Sequence, residues 1–169
     1  MATTMKLIGK QTLGSSAADV TFSSIPDTYT DLLVVISART DRSGFYSDFL
    51  RVDFNGSSAN QSTRWLLGTG SGTSSSTLSI TVGADATGAT ATASTFGISE
   101  LYIPNYAGST NKSSSLTAVT ENNATGSDIY AIANLWSSTA AITSLKFYSN
   151  NSATLQIGSS FFLYGITKA

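Results

Sequence analysis

Nowhere in this chain do apolar side chains recur at i, i+3, i+4 and i+7 with helix formers between them. A globular helix needs that stripe to bury one face, so its absence restricts the fold to strands. What recurs is period two. Short apolar runs alternate with runs of Ser, Thr, Gly and Asn, and turn signals fall about every 8–15 residues. Strands are expected at Met5–Leu13, Ala17–Phe22, Thr30–Arg39, Asp48–Phe54, Ser62–Gly68, Leu78–Val82, Thr95–Ile103, Ser113–Glu121, Asp128–Trp136, Ala141–Ser149 and Thr154–Ile166. Thr69–Thr77 and Gly83–Ser94 read as polar or small-residue loops, the second with room for a short edge segment through Thr90 and Thr92. Asn55-Gly56 is a tight-turn dipeptide.

Several strands are apolar on both faces. Leu32, Val34, Ile36 and Ala38 oppose Leu33 and Val35. Tyr130, Ile132 and Trp136 oppose Ile129, Ala131 and Leu135. Phe161 and Leu163 oppose Phe162, Tyr164 and Ile166. Trp65 reads as a core anchor. In Thr95–Ile103 the apolar phase shifts from Phe96 and Ile98 to Leu101 and Ile103, which predicts a bulge near Ser99-Glu100 or burial of both faces. On the bulged reading Phe96 and Ile98 fill the core while Leu101, Tyr102 and Ile103 reach a second surface. These features predict an all-β, jelly-roll-like antiparallel β-sandwich of two four-stranded sheets. The length of 169 residues suits a single domain spanning 1–169, with 1–4 as an extended N-terminal arm. One face of each two-faced strand fills the sandwich. The other needs a cover, and a closed homotrimer supplies one.

Composition narrows the chemistry. The chain has no Cys and no His, so no disulfide, Cys/His zinc site, Ser-His-Asp triad or Cys-His dyad can form within it. Charged residues make up 11% and the net charge is −1, which leaves no basic footprint for nucleic acid and little repulsion between copies. The N-terminus lacks a signal-peptide core and no apolar run is long enough for a membrane span. The expectation is a chain made in a cytoplasm.

A glycosidase would need two carboxylates facing one cleft. Asp48, Asp53 and Glu100 are the candidates to test. With Thr95–Ile103 and Ser113–Glu121 paired symmetrically about their loop, Glu100 faces Leu116 and Glu121 faces Thr95, so that pair is not opposed. Asp41 with Arg42, and Arg51 with Asp53, read as surface charge pairs. Asp41–Gly44 and Glu121–Asp128 approach a calcium loop without matching its spacing. No catalytic, cofactor or metal residues are assigned. The aromatics Phe45, Tyr46 and Tyr106 lie in polar loops, where they either contact a partner or plug the ends of the sandwich. The Pro104–Lys112 loop, with Tyr106 at its tip, is the leading candidate for a partner contact. The expected contact residues are Tyr102, Pro104, Tyr106, Asn111, Lys112, Phe45 and Tyr46.

Four segments carry a resemblance: Ile103–Ser113 (IPNYAGSTNKS), Val119–Thr125 (VTENNAT), Leu135–Leu145 (LWSSTAAITSL) and Phe161–Ile166 (FFLYGI). Together with Lys10–Phe22 and Ile25–Arg39, they resemble small virion proteins of tailed bacteriophages of aquatic bacteria. The resemblance implies a non-enzymatic capsid decoration, or cement, protein located in the virion. Such a protein is usually a homotrimer that binds the assembled major capsid protein, bridges capsomers and offsets internal DNA pressure. The alternative it implies is a tail or head-fibre tip; recognition of host polysaccharide by such a tip would fall to the loop residues Tyr106 and Tyr46 and neighbouring Asn or Asp. It defines no functional residue, cofactor, nucleic-acid contact or membrane contact.

Overall fold

The computed structural model describes residues 4–123 and 126–167. Met1, Ala2 and Thr3 of the expected arm lie outside this range; the carbonyl of Thr4 accepts a bond from the Thr167 amide at 2.8 Å. Among the described residues there are twelve strands. They are β1 (Met5–Thr12), β2 (Asp19–Phe22), β3 (Asp31–Ala38), β4 (Ser47–Phe54), β5 (Gln61–Gly68) and β6 (Thr73–Leu78), followed by β7 (Val82–Thr87), β8 (Gly97–Pro104), β9 (Lys112–Glu121), β10 (Ser127–Trp136), β11 (Leu145–Ser149) and β12 (Ser160–Ile166).

The strands form two antiparallel sheets. The larger has eight strands in the order β1-β12-β3-β8-β9-β10-β5-β6, and the smaller has four in the order β2-β11-β4-β7. Two equal sheets were expected, and the difference comes from β5, β6, β9 and β10, which all add to one side of β8. The all-β expectation holds, and the two sheets share one apolar core. Leu32, Val34 and Ile36 of β3 and Leu50, Val52 and Phe54 of β4 all lie in that core, and Phe147 stands against Phe161 at 5.5 Å between ring centroids. β12 lies between β1 and β3, so the C-terminal strand is interior to its sheet, as its two apolar faces predict.

Two strands stand where loops were expected. β6 is TSSSTL, and its first five residues are all exposed. No burial pattern marks it; its Ser/Thr chain simply completes the ladder on β5, from Thr63↔Leu78 to Gly68↔Thr73. β7 is VGADAT, and all six residues are buried. It looks loop-like because it must be small. A Cβ on Gly83 would stand 2.8 Å from Val52 Cβ and 2.9 Å from the Phe147 ring, so only glycine lets β7 lie this close.

The predicted bulge in β8 is absent. Its burial alternates without a break, with Gly97, Ser99, Leu101 and Ile103 inside and Ile98, Glu100 and Tyr102 outside. Leu101 and Ile103 therefore fill the core, and Ile98 is the residue facing out, which reverses the expected assignment. Phe96 precedes the strand, half-buried over Gly158. The β8–β9 register also differs by one from the symmetric hairpin. Leu101 faces Leu116, and Glu100 faces Thr117. That shift keeps the two leucines on one face, as pleat parity demands.

Asn55 and Gly56 form the expected tight turn, with φ of 54° and 71°, and the Ser57 amide donates to the Phe54 carbonyl at 3.0 Å. Trp65 is only half-buried. It packs edge-on against Tyr130 at 5.7 Å.

The added strands are tied to the small sheet by polar side chains inside the sandwich. Asn134 of β10 is buried; its Nδ2 donates to the Val82 carbonyl at 2.9 Å and its Oδ1 accepts from the Val82 amide at 3.2 Å. The side-chain amide thus takes the place of a neighbouring strand at the start of β7. Asn134→Leu keeps the volume but strands the Val82 carbonyl and leaves the Val82 amide only its longer bond to Thr63 Oγ1 at 3.4 Å. An unsatisfied buried group costs about 1–3 kcal/mol, so a loss of that size is expected in urea unfolding. A loss under about 0.5 kcal/mol would mean that other partners satisfy Val82.

Candidate functional site

The face of the eight-stranded sheet turned away from the core is the candidate site. Pleat alternation dictates its residues. Once Tyr130, Ile132 and Trp136 face the core, Ile129, Ala131, Ala133 and Leu135 must face outward. Ile129 is 59% exposed and Ile98 58%. The ladders place them in one row, Ile129 beside Val119 and Val119 beside Ile98. In the next row Leu66, 63% exposed, lies beside Ala131. Further along the same face, Leu33 and Val35 of β3 and Phe162 and Tyr164 of β12 are half-buried. Charges on it are sparse, among them Lys10, Glu100 and Arg64. Between β5, β6 and β10 the surface dips into an apolar groove of about 660 Å³ walled by Leu66, Ala131 and Ala133.

The expected contact residues divide. Tyr102 reaches the outer face, and its hydroxyl donates to Asp31 Oδ2 at 2.7 Å. That bond raises the Tyr102 pKa, with lesser help from burial. Pro104 is half-buried at the end of β8, and Asn111 is exposed beside β9. Phe45 is exposed, with the Arg42 guanidinium 3.8 Å above its ring.

Tyr106 and Lys112 are corrections. Tyr106 is fully buried and donates to the Pro26 carbonyl. It plugs the end of the sandwich instead of topping the loop. Lys112 is buried as well, and its ammonium donates to the carbonyls of Gly108 (2.6 Å) and Thr110 (2.5 Å), stapling the loop from within. Desolvation lowers its pKa. Tyr46 is half-buried, with its hydroxyl on Asp128 Oδ1 at 2.9 Å; burial first, then that carboxylate, pushes its pKa up to about 12. Tyr106 and Lys112 are thereby closed off from a ligand, whereas Tyr46 keeps a half-buried ring with its hydroxyl engaged. Their polar sequence neighbours hid this, because loop composition does not record which aromatic folds back.

The candidate carboxylates do not converge. Glu100 lies on the outer face of β8. Asp48 points inward from β4, bonded by Ser149 (2.7 Å) and Asn151 (2.7 Å), and Asp53 sits at the opposite parity of the same strand, bonded by the Tyr148 hydroxyl at 3.0 Å. Of the expected charge pairs, Arg51–Asp53 forms at 4.0 Å, whereas Arg42 approaches Asp48 at 3.9 Å and Asp41 instead accepts from Thr154. Sequence reading missed Asp85, a fully buried carboxyl on β7. Its Oδ2 accepts from the Thr120 hydroxyl at 3.0 Å while Oδ1 has no hydrogen-bond partner among the described residues. Burial, then the nearby Asp128 charge, raise its pKa well above the carboxylate range. Among the described residues, no group of three or more acidic, His or Cys side chains could hold a metal ion, and no helix is long and apolar enough to cross a membrane.

Comparison with protein-family models, with curated proteins and with solved structures finds no match to this chain.

Proposed function

We propose that the chain is a non-enzymatic virion structural protein of the capsid decoration type, built on a jelly roll, that acts by binding through the outer face of its larger sheet. Strand order is the observation that carries the reading. Four antiparallel pairs, β1/β12, β2/β11, β3/β8 and β4/β7, nest so that β1-β12-β3-β8 and β2-β11-β4-β7 form opposing halves. Two packed four-stranded halves with that nesting are the pattern of a jelly roll, an architecture frequent in viral capsid and lectin domains. On this reading β5/β6 and β9/β10 are two inserted hairpins that widen one half.

The outer face supplies the means of binding. Eight strands about 4.8 Å apart and about eight residues long present roughly 1,000 Å², compared with about 800 Å² per partner in a standard interface. An apolar row of Ile129, Val119 and Ile98 crosses its centre, bordered by Ser113, Ser115 and Thr117 of β9 and Glu100 of β8, and apolar residues ringed by polar ones are the usual make-up of a protein interface. The proposed partners are two further copies in a homotrimer and the major capsid protein lattice. The polysaccharide-binding alternative loses Tyr106, which is buried, and keeps Tyr46 only as a half-buried ring with its hydroxyl engaged.

The test is binding of the purified chain to isolated, expanded capsids that lack it. Saturation in multiples of three is expected. Replacing two exposed residues at once, Ile98→Lys with Ile129→Lys, is expected to weaken binding at least 100-fold while shifting the melting temperature by only a few degrees. Binding to host cells but not to capsids would overturn the capsid reading. Undiminished capsid binding by the double variant would remove the outer face from it.

A further inference from the structure

The two sheets have four edges, and three are protected against pairing with another chain. β1 carries Lys6 and Lys10 and has a register break between Leu7 and Gly9. β2 has only four residues, and its Asp19 is bridged by Lys146 at 3.2 Å. β7 is buried along its whole length. Short strands, charges, bulges and cover are the usual means of blocking an edge. β6 has none of them. Thr73–Leu78 contains no charge, no proline and no register break, and Thr73 through Thr77 are exposed.

Its sequence is also self-complementary. Thr73-Ser74-Ser75-Ser76-Thr77 reads the same in both directions. Set antiparallel to its own copy about a two-fold axis at Ser75, it places Thr73 against Thr77, Ser74 against Ser76 and Ser75 against Ser75. A two-fold interface requires such a patch, and opposed Thr and Ser side chains favour antiparallel pairing. The pairing continues the apolar surface, because Leu66 lies beside Ser75 in the ladder and Ala131 beside Leu66. Across the axis that row would run Ala131, Leu66, Ser75 and then the same residues in reverse from the second copy.

We infer that β6 pairs edge to edge with β6 of a second copy, joining two eight-stranded sheets into one continuous sheet. This contact is distinct from the outer face and does not depend on the capsid reading. The test is the mass of the full chain by sedimentation across a range of concentrations. Even-numbered assemblies are expected for the unaltered chain: a dimer, or a hexamer where β6 joins two homotrimers. Ser75→Lys sets like charges opposite each other at the axis and is expected to halve the mass. Ser75→Glu should do the same, and an equimolar mixture of the two should restore the doubled mass. An unchanged mass for Ser75→Lys, a monomer for the unaltered chain, or a mixture that stays at the halved mass would each overturn the inference. If Ile98→Lys with Ile129→Lys lowers the mass and Ser75→Lys does not, copies meet through the sheet face instead. The edge contact then fails while the proposed function stands.

Discussion

Tyr106→Ala is expected to cost about 3–5 kcal/mol of stability, as for other large aromatic side chains removed from a core. The ring is completely buried, among the largest side chains that are, and it belongs to the continuous apolar cluster between the sheets. Its backbone is used as well, since the Ile142 amide donates to the Tyr106 carbonyl at 2.9 Å, linking the β8–β9 loop to the segment before β11. Tyr106→Phe separates packing from polarity. It removes only the hydroxyl that donates to Pro26, so a loss of about 1 kcal/mol is expected. Asn111→Ala on the same loop is exposed and should stay within about 0.5 kcal/mol. Urea unfolding of the three variants checks the ranking. A Tyr106→Ala loss below about 1 kcal/mol would mean that the ring is not the plug described here.

Loop Pro104–Lys112 shows why fold and site were legible to different degrees. Period-two alternation records burial, so it marks β3, β4, β10 and β12 and sorts their residues into two faces, but where both faces are apolar, as in β3, β10 and β12, it does not say which one fills the core. It also marked the outer apolar face, because Ile129 and Leu135 keep strict parity with Tyr130 and Trp136. In β8 the apolar pattern points to Ile98 as inward, and the structure turns it outward. Ser99 and Gly97 are the true inward residues there, and neither looks apolar. A Cβ on Gly97 would stand 2.5 Å from the Asp85 carbonyl oxygen, so close contact between the sheets, not hydrophobicity, sets that position. β7 was missed for the same reason, and β6 because a fully exposed edge strand leaves no burial pattern. Lys112 and Tyr106 were misplaced because a charge or hydroxyl in a polar loop gives no sign that the chain bends to bury it. The Asn134 contact with Val82 is longer range still; nothing near either residue in sequence announces it.

Close contact between β7 and the larger sheet also leads to the second large effect, a fall in stability as pH rises. The Asp85 amide donates to Ser99 Oγ at 3.0 Å, and Thr120 bonds its Oδ2, so the carboxyl is fixed inside the sandwich. Burial is the main reason its pKa rises, with Asp128 next and Asp48 further off; Thr120 and the Arg42 charge offset this only in part. Tyr46 and Tyr130 lie in the same group, and burial raises both, so neither adds charge at neutral pH. The unfolded chain releases the Asp85 proton near the ordinary value of 3.8, whereas the folded chain holds it. Below that value both states are protonated and the group is neutral to stability. Above it the folded state binds more protons, so stability falls by about 1.4 kcal/mol per pH unit until the raised pKa is passed. Asp41 works in the opposite sense in a separate window. Its hydrogen bonds from Thr154 lower its pKa, so its contribution is lost only as pH falls below the usual carboxylate range. Asp85→Asn retains an oxygen for Thr120 and cannot ionise. It is expected to remove the downward slope above pH 3.8 and to be more stable than the unaltered chain at neutral pH, while leaving the acid limb set by Asp41 in place. Urea unfolding at a series of pH values measures both limbs. An Asp85→Asn variant with an unchanged slope would place the source of the pH dependence elsewhere.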